Sequence, residues 1–314
     1  MHDLAISLLR GKTTGLAVPA AIALLLAGPR PATAQLFESV GTRAQGMGGA
    51  FVAVADDSTA TWWNPAGLAT GALFSAALER SGAQAPDDAG AFGASMALPS
   101  LGVSYYRLRV RAIPPVGSTD PATANRQDQS AAPLATYVVH ALGATFGQSL
   151  GSHVVVASTL RLVHAGDTTG DVDLGAMTKL GDVRVAAVVK HLHEPDLTVD
   201  GVRVGLDRQA RVGAAYTPSL GRAATLNAAV DADLTTTPTA AGDVRHLAAG
   251  AEVWVRRRLG VRAGTSVNTI GATRRSFSVG ASVAPQSGLF IDGRLTRGDD
   301  DTLTGWGVDL RLAF

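Results

Sequence analysis

A chain of 314 residues that is 46% hydrophobic, only 17% charged and nearly neutral at +1 is neither disordered nor strongly nucleic-acid-binding. Its charge content falls below the roughly 25% usual for a soluble globular domain. Its apolar content leans on Ala, Val, Leu and Gly, with 36 Gly and 5% aromatics, and the lack of Cys removes disulfide, thiol and Cys-zinc chemistry.

Residues 1–34 read as a secretory signal peptide. Arg10 and Lys12 supply its positive region, residues 16–27 an apolar stretch, and Ala32-Thr33-Ala34 a small-residue cleavage site before Gln35. A spanning helix needs about 20 apolar residues, and Pro19 and Pro29 leave no such run. No later stretch offers a membrane helix.

The most specific text follows at residues 41–68, GTRAQGMGGAFVAVADDSTATWWNPAGL. Gly41, Gly46, Gly48 and Gly49 fall close together, a density that lets the backbone approach another surface. Asp57 or Ser58 is placed to cap a short helix over 58–63, which Pro65 ends by disfavouring helical geometry at Asn64. On spacing alone the run reads equally well as a turn-helix-turn that caps a core. It resembles the N-terminal region of FadL-type outer-membrane proteins and their PorV-type relatives, in which a GMGGAFVAVADD-like stretch leads into an NPAG motif, here Asn64, Pro65, Ala66 and Gly67. The resemblance implies a hatch folded into the lumen of a β-barrel of about fourteen strands, with residues 35–70 as hatch and 71–314 as wall. It further implies that Gly46, Gly48, Gly49, Phe51, Trp62 and Trp63 pack the hatch or line a pocket, that Asn64 to Gly67 turn the chain into the wall, and that Asp56 or Asp57 pairs with lumen arginines.

Past Gly71 the period is two. In the last strand Thr304, Trp306, Val308, Leu310, Leu312 and Phe314 share one face against Gly305, Gly307, Asp309 and Arg311. The same alternation sets Leu247, Ala249 and Val253 against His246 and Glu252, Val183 and Val185 against Arg184, and Val261 against Arg262. A sandwich alternates too, but connection lengths separate the two folds. Short breaks near 99–100, 147–152, 181–182, 218–221, 256–258 and 285–288 alternate with longer polar ones at 81–90, 111–133, 166–171, 192–206, 235–243, 269–274 and 298–302. That asymmetry predicts an all-β fold: a transmembrane antiparallel barrel of about fourteen strands in the bacterial outer membrane. Such a barrel is too wide for wall side chains alone to fill. Trp306 and the terminal Phe314 resemble the signature by which barrel-assembly machinery recognises its clients.

Candidate chemistry is sparse. His191 and His193 have ligand-like spacing, although a pair at a strand end is more often solvated, and no metal or cofactor is expected. Ser158 near His140 or His153 lacks any hydrolase motif, and Gly46 to Gly49 follow no strand as a dinucleotide loop would; the chain is not expected to be an enzyme. Asp87-Asp88 and Asp299 to Asp301 fall in outside loops, where they would either hold divalent cations weakly or stay solvated. Arg107, Arg109 and Arg111 share one face of a strand, assigned here to the lumen or its mouth, where they would meet an anionic head group or simply form a polar lumen face.

Two functional classes follow from the resemblance. One is a FadL-like barrel passing fatty-acid-like hydrophobic molecules. The other is a PorV-like barrel that docks a secreted protein, with a passive pore as a third reading. Outer-membrane lipid is a partner in each, and nucleic acid in none.

Overall fold

The computed structural model describes residues 40–84, 89–112, 135–199, 202–218, 220–221, 223–239 and 242–314. The expected signal peptide and Asp87-Asp88 lie outside these. Two short helices, α1 (Thr42–Gly46) and α2 (Ala60–Trp63), and a 3-10 helix (Pro65–Thr70) precede the strands. They are β1 (Ser75–Ala83), β2 (Gly90–Leu98), β3 (Leu101–Ala112), β4 (Ala135–Leu150), β5 (Val154–Ala165), β6 (Asp167–Leu180) and β7 (Val183–Lys190). After the hairpin β8 (Asp196–Val199) and β9 (Val202–Gly205) come β10 (Gln209–Tyr216), β11 (Ala224–Asp233), β12 (His246–Val255), β13 (Leu259–Asn268), β14 (Arg275–Gln286), β15 (Leu289–Gly298) and β16 (Gly305–Ala313).

Fourteen strands, β1–β7 and β10–β16, pair antiparallel with their neighbours in sequence, and β1 closes the ring on β16 from Ser75–Ala313 to Ala83–Gly305. Closure removes both sheet edges. No helix among the described residues is long and apolar enough to cross a membrane, which says nothing of crossing by strands.

The alternation read from sequence is the alternation of the wall. In β16 Trp306, Val308 and Leu310 are exposed outside, while Gly307, Asp309 and Arg311 are buried inside. β7, β12 and β13 follow the same rule. The outer face is an apolar belt that includes Leu101, Val103, Leu142, Phe146, Leu160 and Leu162, all exposed. Buried Arg, Asp and Glu side chains line the inner face.

Three expectations need correction. The connection expected over 166–171 is the single residue Gly166, at φ 91, because β6 already begins at Asp167. The loop expected over 192–206 contains the β8–β9 hairpin. The helix expected over 58–63 is the single turn Ala60–Trp63, and Pro65 starts the 3-10 helix. Proline suits that first position, where its missing N–H would have had no partner.

Candidate functional site

Residues 40–70 lie inside the ring of strands. α1 packs on β13, β14, β15, β16 and β1, and the 3-10 helix on β2, β4, β5 and β6, so the segment touches opposite arcs of the wall. Val40, Ala44, Met47, every residue from Ala50 to Ala55, and Trp63 are shielded from solvent.

A chain with such short helices leaves many backbone N–H groups without helical partners, and buried donors must find acceptors. Wall carboxylates supply them. Glu79 on β1 accepts from Gly41 N at 2.9 and 3.0 Å and from Thr42 N at 3.0 Å. Asp231 on β11 accepts from Phe51 N at 2.7 Å and Val52 N at 2.8 Å.

Arg43 carries the ionic attachment. Its Nε and Nη2 donate to Glu252 on β12 at 2.9 and 2.7 Å, and its Nη1 to Asp56 at 2.5 Å and Asp57 at 3.0 Å. The chain of charges continues along the wall from Glu252 to Arg262 at 3.1 Å, Asp292 at 2.9 Å and Arg311 at 3.4 Å. The acidic pair Asp56 and Asp57 therefore pairs chiefly with Arg43 of its own segment; among the described residues the closest wall pairing is Arg184 to Asp56 at 4.0 Å. Burial alone would raise the Asp57 carboxyl, but Arg43, Arg311 and the Thr59 hydroxyl hold it below the usual carboxylate range. Burial likewise opposes the charge on Arg43, and Asp56, Glu252 and Asp57 outweigh it to push its pKa further up.

Between these anchors the segment meets the wall at van der Waals distance. Gly48 has φ +68, and a side chain there would lie 2.5 Å from Thr265 N; a side chain on Gly264 would run into the Met47 backbone. Gly46 abuts Arg262. Asn64 Nδ2 donates to Val52 O at 3.0 Å and its Oδ1 accepts from Ala66 N at 3.1 Å, which fixes the turn, and Asn64 with Pro65 faces Gly175 of β6. Gly67 is buried against Ala55.

The aromatic residues are packing groups. Trp62 meets Tyr106 edge-on at 5.0 Å between centroids and lies under Arg161 at 4.4 Å and Lys190 at 4.0 Å. Phe51 meets Trp63 edge-on at 6.0 Å, and Trp63 Nε1 donates to Val40 O at 3.1 Å.

Arg107 and Arg109 do share one face of β3, which by register is the outer one, although Arg109, at the rim, also lines the cleft between the segment and the wall. Gly102, Ser104, Tyr106 and Leu108 are the buried, inward positions of β3, and Arg107 pairs with outward Phe92. The physical reason is Trp62: the inside of the wall here is apolar protein, so Tyr106 and Leu108 belong there. The Arg111 side chain lies outside the described residues. Trp306 is exposed on the outer face, and Phe314 stacks on Phe74 with centroids 6.5 Å apart.

His191 and His193 are not brought together as a pair. His191 Nδ1 lies 2.5 Å from Asp171 Oδ2, and Asp173 completes a buried trio, yet Asp173 is already ion-paired with Arg161. His193 is exposed. Asp300 accepts from Thr302 N at 3.0 Å and pairs with Arg274 at 2.6 Å.

A cleft of about 270 Å³ opens between the segment and the wall on the side of the long connections. Gln45, Trp63, His246, Ser278, Arg274 and Arg294 contribute to its lining, which contains no carboxylate among the described residues. Sequence reasoning missed Arg43, Glu79, Asp231 and Glu252 because each bond joins residues far apart in the chain.

No family model matches the sequence, and no curated protein does. Solved structures do. The CymD monoaromatic hydrocarbon channel superposes with a TM-score of 0.60 at 12% identity, over 88% of this chain and 98% of that one. This chain has the FadL-type barrel fold. The toluene transporter TbuX of Ralstonia pickettii gives 0.57 at 12% identity, over 88% and 99%, and a FadL homologue of Pseudomonas aeruginosa 0.55 at 13%, over 90% and 98%. The first two of these structures are a channel and a transporter by name.

Proposed function

We propose that this FadL-type barrel sits in the outer membrane and passes hydrophobic or amphipathic small molecules past a hatch, residues 35–70, held in its lumen. The observation that carries this reading is the segment itself: it is tied by Glu79, Asp231 and Glu252 inside a closed wall whose outer face is an apolar belt. A wall of that kind suits hydrocarbon outside, and the similar folds are those of hydrocarbon transporters.

The ligand we favour has an apolar body and an anionic head, as a fatty acid does. The cleft above the hatch is lined by Trp63 and by Arg109, Arg294 and Arg274, the last paired with Asp300, and no carboxylate is among its described lining residues. The signal peptide, residues 1–34, would be removed on export, and Trp306 with Phe314 would present the chain to the assembly machinery.

Uptake of a labelled fatty acid and of toluene into liposomes carrying the purified protein tests this reading. Uptake above protein-free liposomes is expected for the fatty acid. Absence of uptake for both, with a secreted protein co-purifying from the native envelope, would replace it with the docking role.

A further inference from the structure

The outer face of the wall carries one sign of charge at one end. Each carboxylate on a described barrel strand, from Glu79 to Asp309, occupies an inward register position, Asp167 being exposed at the rim, where it accepts from Thr198 N. The cations Arg80, Arg107, Arg109, Arg275 and Arg297 occupy outward ones, as do the imidazoles of His140 and His164, all in the strand halves toward the long connections. A cation facing mid-bilayer hydrocarbon costs about 2–4 kcal/mol and near the interface about 0–1. Outward cations at one end only therefore mark where the wall leaves the hydrocarbon.

Three of them form one row along the hydrogen-bonding direction. Arg107 pairs across strands with His140, His140 with His164, and His164 with Thr168. Facing side chains in such pairs stand about 5 Å apart. The two imidazoles lie 6.2 Å apart, each fixed through Nδ1, His140 by Tyr105 OH at 2.8 Å and His164 by Thr168 Oγ1 at 2.8 Å. Arg107 forms no ion pair among the described residues. Directly below, Val103, Leu142 and Leu162 continue the same strand faces as exposed apolar side chains.

We propose that this row binds the phosphate groups of a phosphorylated acyl glycolipid of the outer leaflet, the acyl chains lying on the apolar side chains beneath. The inference rests on the outer-membrane reading. A guanidinium offers a phosphate two parallel hydrogen bonds, and the imidazoles add donors beside it. Lack of outward carboxylates removes the repulsion an anionic lipid would otherwise meet.

The test uses the full protein in detergent, with bound lipid counted by native mass spectrometry. Bisphosphorylated lipid A is expected to bind about tenfold more tightly than its dephosphorylated form, and R107Q to lose about that factor, one charge-assisted hydrogen bond's worth. The H140Q/H164Q double variant, which leaves Arg107 in place, is expected to lose a smaller part. Equal binding of the two lipids to the wild type overturns the proposal, as does full competition by inorganic phosphate at equal concentration, which would indicate a free-anion site. If the protein also failed to insert into plain phosphatidylcholine vesicles, the membrane reading would fall, and the proposal with it; insertion with equal lipid binding would sink the proposal alone.

Discussion

Arg43 and Glu252, 209 positions apart in the chain, form a two-pronged ion pair in which the carboxylate is fully buried. Nothing local produces this contact. It exists because α1 is carried into the barrel; without Arg43, Glu252 would keep only Arg262, and the buried Asp57 would lose the cation it pairs with.

Replacing Arg43 by Met should loosen the segment by about 3–5 kcal/mol, the usual cost of stranding one member of a buried pair. Hydrogen exchange over residues 41–68 should rise markedly while the strands stay protected. Unchanged exchange there would show that the backbone bonds to Glu79 and Asp231 suffice.

Gly264 and Gly293 lie on neighbouring parts of the wall but face different surroundings. A methyl group on Gly264 meets the Met47 backbone, whereas nothing lies within 4 Å of one on Gly293. Gly264→Ala should therefore displace the segment and expose Trp63, read as a shift in tryptophan emission. Gly293→Ala should leave the emission unchanged and alter stability by no more than about 0.5 kcal/mol. Equal effects from the two would contradict close packing at Met47.

Asp57 gives a pH signature. Despite burial its folded pKa is depressed by Arg43 and Arg311, below the about 3.9 of an unfolded aspartate. A depressed carboxylate contributes stability that is complete above the unfolded value and is lost as the pH falls through the folded one. The stability difference between wild type and Asp57→Asn should then be constant from pH 8 down to about 5 and shrink only below about 4. Denaturant titrations at several pH values measure it, and a difference that changes between pH 5 and 8 would contradict the assignment.

Much of this architecture was legible in the residues. Trp306, Val308 and Leu310 against Asp309 and Arg311 reveal a two-sided wall because lipid-facing and inward positions must alternate on a pleat. The glycines and the Asn64-Pro65 turn announce close packing because few other residues tolerate it. The inside of β3 was misread because arginines at every second position look like a polar lumen, and only the arrival of Trp62 makes Tyr106 and Leu108 the inner residues. The carboxylates that hold the segment were hidden for a related reason. A buried Glu79 or Glu252 reads as an ordinary polar lumen residue until the chain that it binds is in place.

Steady conductance across a planar bilayer tests the central claim most directly, that residues 40–70 close the barrel. The wild type should show little sustained current in salt, and Arg43→Met frequent openings. A steady open-pore current from the wild type, unchanged by that substitution, would contradict the plugged barrel.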